Sequence, residues 1–419
     1  MRRLAFVLLA CFVFASGCAS KPENRNAVVV WISIDGLRPD YVERANAPLL
    51  QRLVREGAST GKLIPPTPSL TFPSHVTEAT GVPPGKHGIP GNSFYDAKTG
   101  QRYSFPNEAS MLQSEPIWIT AKRQGVRTLV YDWPLSYQQP GPVRTDYLQE
   151  KFDTEATDRQ RLDLLLDTWR NDTARARAGE PLRLLMGYIK QPDVVGHKHG
   201  PDSREVLDAV AQTDRLLQHF VEDAEEIFRA KRKPRDELYI VLTSDHGMAA
   251  VHTMVNFEKL FDTPPPRSVQ RITGGTFAML YLEQIPATDR AAMQDKMLHD
   301  LRRWGFLSVY TRDTLPKRWG LAHPTRVGDI VITLRPGYHL SDRLPLVTFP
   351  REKVEAGRGA HGYVPSECPD MNALCMIWRY PDRMKRRDLG KANAEQMHPT
   401  IARLLKIKPA SNVKAKALQ

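Results

Sequence analysis

Leu238-Tyr239-Ile240-Val241-Leu242-Thr243-Ser244-Asp245-His246-Gly247-Met248 is an apolar run that stops abruptly on a carboxylate and an imidazole. Its first half is rich in β-branched and aromatic residues, the pattern of a strand buried on both faces. Open α/β sheets bind their ligands just beyond the carboxyl ends of such strands. Asp245 and His246 stand at that point, and Gly247 lets the chain turn tightly around whatever they hold.

Working outward, the same arrangement recurs. Ala27 to Ile34 is a second buried strand, and it also ends on a carboxylate, Asp35-Gly36. Leu182 to Ile189 is a third, followed by the loop Gln191 to Pro201 that holds Asp193, His197 and His199. Val126 to Tyr131 and Ala373 to Trp378 complete the set. Helical patterns lie between them: Ala47 to Gly57, Glu115 to Gln124, Asp158 to Ala178, a long one from Ser203 to about Ala230, and a last one from His398. Strands alternating with helices predict an α/β fold, a mostly parallel central sheet with helices on both faces. The segment of about 257–344 is a smaller α+β insertion, with short strands at Phe277 to Leu282 and Asp329 to Leu334 flanking a helix near Thr288 to Trp304. Pro65 to His75 carries four prolines and reads as a stiff loop, with a helix starting near Ser74.

Charged and apolar fractions are ordinary for a globular chain of 419 residues, which excludes wholesale disorder. The net charge of +12 is scattered, and its densest cluster, Lys231 to Arg235, reads as a solvated loop rather than a nucleic-acid surface. Arg2-Arg3, an apolar run from Leu4 to Ala15 and small residues after it form an export signal over 1–17, too short for a stable span. Cys18 after Ala15-Ser16-Gly17 resembles a bacterial lipoprotein processing site, although Leu is usual where Ala15 stands. A simple cleaved signal is the alternative. The lipoprotein reading puts the protein in the periplasm, anchored through Cys18 to the outer membrane, with 18–26 as a polar linker. The main body then covers 27–408, and 409–419 is a basic tail expected to be mobile. In an oxidising compartment Cys368 and Cys375 are expected to pair as a disulfide.

Asp35, Asp193, His197, Asp245, His246 and His361 share one property: each is a metal-ligating type at or just after a strand. Three carboxylates and three imidazoles suit zinc or a similar divalent ion. Asp193 and His197, four apart, share a face on one helical turn. Six such groups exceed one tetrahedral ion and match two, which at about 3.5–4 Å apart would clamp the entering and leaving oxygens of a phosphoryl transfer. Thr71, in the stiff loop, carries a hydroxyl that a metal can ionise. Taken alone it is one loop threonine among several.

Together these motifs resemble the nucleotide pyrophosphatase/phosphodiesterases of the alkaline phosphatase superfamily. The resemblance rests on Ile34-Asp35-Gly36, Pro68 to His75, Gly85 to Ile89, Asn92 to Tyr95, Pro192 to Pro201, Ser244 to Met248 and His361-Gly362-Tyr363, in that order. It implies an alkaline phosphatase-like fold and two zinc ions. By this resemblance Asp193, His197 and His361 hold one zinc, while Asp35, Asp245, His246 and Thr71 hold the other. Thr71 would attack phosphorus and form a phospho-threonine that water hydrolyses. Asn92 and the Phe72 amide would donate to a non-bridging phosphate oxygen. Phe72 and Tyr188 would stack a nucleobase, with plain packing as the alternative for each. His75 and His87 are expected to bond the loop rather than a metal, His199 to be solvated, and His398 to be structural.

The implied substrate is a small phosphodiester or nucleotide. Sulfatases need a Cys or Ser before x-Pro-x-Arg, which the Thr71 loop lacks, and monoesterases of the superfamily commonly use Ser with an arginine clamp. A phosphomonoester or phosphonate hydrolase of the same superfamily stays open as an alternative. So does a non-catalytic, metal-stabilised envelope lipoprotein.

Overall fold

The computed structural model describes residues 26–172, 180–342 and 344–419. The export signal, Cys18 and nearly all of the 18–26 linker lie outside the described residues.

A nine-stranded sheet forms the centre of the main body. Its strands are β1 (Ala27–Ile34), β2 (Ala58–Ile64), β3 (Arg127–Val130), β4 (Tyr147–Leu148), β5 (Leu182–Ile189), β6 (Glu237–Thr243), β7 (Ala373–Tyr380), β8 (Arg387–Asp388) and β9 (Ala392–Asn393). The order is β8-β2-β7-β6-β1-β5-β3-β4, with β9 also on β2. β1 runs parallel to both β5 and β6, whereas β7 runs against both of its neighbours. This is the mostly parallel α/β sheet expected from the alternating pattern.

The central strand shows why it folds so. Along β1, Val28, Val30, Ile32 and Ile34 enter one apolar cluster, and Val29 and Trp31 enter another on the opposite face. The first cluster is covered by α1 (Pro48–Glu56), α4 (Asp158–Arg170) and the long α6 (Arg204–Lys231). The second is covered by α3 (Ile117–Arg123) and α8 (Met397–Leu405), and Ala79 of α2 (Thr71–Thr80) joins it. A strand buried on both faces has no polar side, which is why these segments read as continuous apolar runs.

The insertion is a four-stranded antiparallel sheet of Gln270–Thr273, Phe277–Tyr281, Leu307–Thr311 and Ile330–Leu334, with α7 (Ala287–Arg302) packed on one side. Its other side packs Phe277, Met279 and Val331 against Val76 of α2, so the insertion braces the helix that begins at Thr71.

Three expectations are corrected. The helix expected near Ser74 begins at Thr71 itself, after an extended Leu70. Cys368 and Cys375 are both free thiols: Cys375 points from β7 into the cluster under the sheet, and Cys368 packs in a separate cluster with Met371 and Tyr363. The tail is not loose either. The Ala410 amide donates to His398 Nε2, the Leu418 amide donates to Thr400 Oγ1, and the Leu418 side chain is buried on the sheet face. Among the described residues no helix is long and apolar enough to cross a membrane.

Candidate active site

Three adjacent strands bring the carboxylates together. β5, β1 and β6 end level, with Ile34 opposite Ile189 and Ser33 opposite Thr243. Neighbouring strands lie about 4.8 Å apart, so residues just past three level ends share one spot. Asp35 follows β1, Asp245 and His246 follow β6, and Asp193 is the first residue of α5 (Asp193–His199), four residues after β5 closes at Ile189. The turns are tight. At Gly36, whose φ is +66°, an added Cβ would sit 2.9 Å from Asp193 Cβ, and the Gly36 amide donates to Asp245 Oδ1. His361 arrives by another route. Gly359–Ala360 pairs antiparallel with Ala249–Ala250, just beyond Met248, which lays the His361 ring on that of His246 with centroids 3.5 Å apart.

The ring nitrogens show what this cluster is for. His197 Nδ1 lies 2.9 Å from the Gly359 carbonyl, His246 Nδ1 2.9 Å from the Gly247 carbonyl, and His361 Nδ1 3.1 Å from the Ser69 carbonyl. A carbonyl only accepts, so each Nδ1 carries the proton and each Nε2 presents a lone pair to the centre. The Nε2 atoms of His361 and His197 face each other at 3.1 Å. Two lone pairs at that distance repel unless a cation sits with them. Asp193 Oδ1 is 3.5 Å from His197 Nε2 and 3.8 Å from His361 Nε2. On the other side, His246 Nε2 is 3.5 Å from Asp35 Oδ1 and 3.0 Å from Asp245 Oδ2.

Among the described residues, Asp35 Oδ1, Asp193 Oδ1 and Asp245 Oδ2 are buried and accept no hydrogen bond. Burial first, then neighbouring carboxylates, pushes Asp35 well above the usual carboxylate range, and burial raises Asp193. Burial and the adjacent imidazoles hold His361 well below its ordinary value. Uncompensated buried charge of this kind is strongly unfavourable. The donor set therefore fits divalent cation binding: Asp35, Asp245 and His246 form one group of converging ligand atoms, and Asp193 and His361 another to which His246 is also close. His197 completes the second by the distances above.

Thr71 stands beside them. Its Oγ1 is 3.3 Å from His246 Nε2, and it is the first residue of α2, where the helix presents its partial positive charge. The Phe72 amide donates to Asn92 Oδ1 at 2.9 Å. This corrects the expectation that the Phe72 amide and Asn92 both face substrate: the amide is engaged in aiming the Asn92 carboxamide, whose NH2 remains. Tyr188 differs too. Its phenol donates to Asp35 Oδ2 at 2.6 Å while its ring lines the adjoining cavity.

That cavity, of about 530 Å³, adjoins the centre. Thr71, Asn92, Asp35, Asp193, His197 and His361 line its floor, and Phe72, Phe105, Tyr137, Phe152 and Tyr188 its walls. Phe72 meets Phe105 edge to face, and Phe152 meets Tyr188 in the same way. Sequence reading missed Phe105, Tyr137 and Phe152. They sit in segments without hydrophobic period, and their one signal was an aromatic residue in an otherwise polar stretch.

The remaining histidines fall where expected. His75 Nδ1 is 2.8 Å from the Thr71 carbonyl and its Nε2 2.8 Å from Ser33 Oγ. His87 bonds Thr77 and the Ile89 amide, and His398 is buried between the Ala79 carbonyl and the Ala410 amide. His199 is partly exposed, with Glu205 at 3.6 Å.

Residues 29–364 match the family model of type I phosphodiesterase / nucleotide pyrophosphatase. An uncharacterized pyrophosphatase/phosphodiesterase of Schizosaccharomyces pombe is 28% identical over 387 residues, covering 88% of this chain and 76% of that protein. Mouse bis(5'-adenosyl)-triphosphatase is 26% identical over 395 residues, covering 91% of this chain and 78% of that one. Among solved structures, murine ectonucleotide pyrophosphatase/phosphodiesterase 5 superposes with a TM-score of 0.77 at 21% identity, covering 91% of this chain and 96% of that chain. An inactive threonine-to-alanine variant of it, in complex with AMP, superposes equally at 19% identity.

Proposed function

The chain belongs to the type I phosphodiesterase / nucleotide pyrophosphatase family, and from that membership we propose that it hydrolyses nucleotide-type phosphodiester or pyrophosphate bonds, with Thr71 as nucleophile. The observation that carries this reading is the convergence of three imidazole lone pairs and three unpartnered carboxylate oxygens beside the Thr71 hydroxyl. Asp193, His197 and His361 would hold one divalent cation, and Asp35, Asp245, His246 and Thr71 the other, with zinc as the proposed identity. When bound, such a pair lowers the pKa of a coordinated hydroxyl and offsets charge on the phosphate oxygens.

The chain's own residues do the rest. Thr71 Oγ forms a bond to phosphorus as the bond from phosphorus to the leaving oxygen breaks. The hydroxyl proton passes to solvent, and the leaving oxygen keeps the bonding pair and gains a proton from water. Water then displaces Thr71 from the phospho-threonine and restores its hydroxyl. The N-terminus of α2 lies under the developing charge. The Asn92 NH2, aimed by the Phe72 amide, donates to a non-bridging oxygen. The aromatic cavity would take the group that stays on phosphorus, with Phe72 and Tyr188, and now Phe152, against its base. A monoester has nothing to place there, which favours the diesterase reading over the monoesterase.

The test is turnover of a nucleoside 5'-monophosphate p-nitrophenyl ester against p-nitrophenyl phosphate, with and without chelator, by wild type and Thr71→Ala. Faster diester cleavage that chelator and Thr71→Ala both abolish is expected. Equal or faster monoester cleavage would overturn it.

We also propose an exported enzyme anchored through Cys18, a reading supported by Arg2-Arg3, the apolar run and Cys18 itself. Cys18→Ala should move the protein from the membrane to the soluble periplasmic fraction.

A further inference from the structure

The amino ends of the parallel strands form a side of the molecule that the site does not use. Hydrogen bonds tie its parts into one rim. The Asn26 amide donates to Asp236 Oδ1, and the Glu237 amide donates to the Asn26 carbonyl. Arg183, near the start of β5, donates to the carbonyls of Ala27 and Leu405, and Gln124 bonds the Lys408 backbone in both directions. β7 runs against β6 with Tyr380 opposite Leu238, so the loop after β7 turns on this side too. Basic residues far apart in sequence meet on the rim. Arg232, Lys233 and Arg235 are exposed between α6 and β6, Lys385 between β7 and β8, and Lys406 and Lys408 after α8. Of the exposed acids among the described residues, Glu180, Asp382 and Asp388 share this side and are outnumbered.

The chain also enters the main body here. Asn26 precedes β1, and Cys18, the proposed anchor, stands eight residues before it. A stretch of that length reaches at most about 28 Å, so a lipid on Cys18 keeps this end of the protein at the membrane. Asp35 and the ligand cluster lie past the other end of β1, whose residues span about 26 Å. We propose that the amino-end rim is a docking face for an anionic phospholipid surface, and that docking turns the large cavity away from the lipid and toward the aqueous phase. The substrate is then a water-soluble phosphodiester or nucleotide, not a headgroup of the membrane beneath. Only this last point rests on the diesterase reading; the docking face stands on the charge and on where the chain enters.

Each Lys or Arg close to an anionic leaflet strengthens binding about fivefold, and the attraction fades within about 8 Å at physiological ionic strength. A basic face by itself therefore gives a reversible, salt-sensitive contact, and stable attachment takes a second signal. The acyl anchor holds the protein at the membrane while the rim sets its orientation. This division of labour agrees with Cys18→Ala leaving the membrane fraction. The composition of the loops favours lipid over a single-stranded nucleic acid, which would need aromatic side chains to stack its bases. Segments 231–236, 381–386 and 406–408 contain none.

The experiment sediments Cys18→Ala protein, which lacks the anchor, with vesicles of phosphatidylcholine alone or mixed with phosphatidylglycerol. At low ionic strength the mixed vesicles should bind at least about tenfold more tightly, and high salt should abolish the difference. Adding Arg232→Glu, Lys233→Glu, Lys385→Glu and Lys408→Glu together should weaken that binding at least about tenfold. A control set on the insertion, Arg267→Glu, Lys296→Glu, Arg302→Glu and Lys317→Glu, makes the same change in net charge and should stay within about threefold. Both sets replace exposed side chains, and an unchanged Tm confirms that each is folded. Equal losses in the two sets, or equal binding to the two kinds of vesicle, overturn the docking face. Retention of single-stranded DNA without either vesicle overturns lipid as its partner. Lipidated wild type in mixed vesicles should cleave the soluble p-nitrophenyl ester within about twofold of the Cys18→Ala protein in solution. A rate about tenfold lower would put the cavity against the lipid and overturn the orientation. If neither form cleaves the ester, the diesterase reading fails while sedimentation still decides the docking face.

Discussion

The Tyr188 phenol donates to Asp35 Oδ2 across 2.6 Å, so a side chain that walls the substrate cavity also aims a carboxylate of the cation cluster. The other Asp35 oxygen, Oδ1, accepts nothing and faces His246 Nε2 at 3.5 Å. Tyr188→Phe keeps the ring and removes this tether. Partners of this kind are worth about 10–100-fold in metal affinity or activity, and a loss in that range is the expected result, read by chelator competition. AMP affinity at saturating cation should stay near wild type, because the aromatic wall is intact. A variant that holds cations as wild type does would show the phenol to be incidental.

Arg161 anchors the neighbouring part of that wall, through Phe152, which meets Tyr188 edge to face. Its guanidinium lies 4.3 Å over the Phe152 ring and 2.7 Å from Asp132 Oδ1, with both members of the ion pair almost fully buried. It also donates to the carbonyls of Asp153 and Ala156, tying an irregular segment to the end of β3. Lysine lacks the planar fork needed to hold all of these. Arg161→Lys should therefore raise KM for the nucleotide ester about tenfold with kcat largely kept, the signature of lost ground-state binding. A p-nitrophenyl ester of methylphosphonate, which has no base to place, should show no such rise. Equal effects on both substrates would show that Arg161 supports the reacting centre and not the wall.

The parts of the site differ in how far sequence could reveal them. β1, β5 and β6 are buried on both faces, so their apolar runs were readable, and Asp35, Asp193 and Asp245 follow them within four residues. The six ligand types were therefore legible as a set, and Asp193 and His197 as one helical face. Thr71 was legible only through the motif around it, since nothing local shows that a proline-rich loop turns into a helix at that residue. Tyr188 was visible, but its bond to Asp35 depends on the register of β1 on β5, where Ser33 lies opposite Tyr188. Phe105 and Phe152 come from segments without period, where only tertiary contacts fix the position, and Arg161, although on an expected helix, shows its role only through its contact with Phe152.

The cysteines give a third prediction. Spacing and compartment argued for a disulfide, but Cys375 lies mid-strand opposite Thr243, facing the core, and Cys368 packs elsewhere. Burial pushes the Cys368 thiol up to about 12 and the Cys375 thiol higher still. Neither offers a thiolate at neutral pH. A thiol reagent should find no reactive group in this pair in the native protein and both in denaturant without reductant, and dithiothreitol should leave Tm unchanged. A Tm that falls on reduction would mean the pair is bridged in solution.

His398 and His87 set the acid limit of the fold. In His398, Nε2 accepts the Ala410 amide and Nδ1 donates to the Ala79 carbonyl, a pattern that only the neutral ring satisfies. In His87, Nδ1 accepts the Ile89 amide and Nε2 faces Thr77 Oγ1. Burial lowers His398 from 6.5 to about 4 and His87 to about 3. Above pH 6.5 neither the folded nor the unfolded chain protonates these rings, so their contribution is whole. Between pH 6.5 and 4 the unfolded chain takes up protons that the folded chain refuses, and stability falls by up to about 1.4 kcal/mol per pH unit for each ring. His398→Gln removes one such group. It should be less stable at pH 7.5 by about 1–3 kcal/mol, for a lost buried hydrogen bond, yet its stability should decline less steeply down to pH 4. Urea unfolding of both proteins in chelator, at several pH values, checks this, because cation-linked protons are common to both and cancel in the difference. Parallel pH curves for the two proteins would show that His398 is not held neutral by the fold.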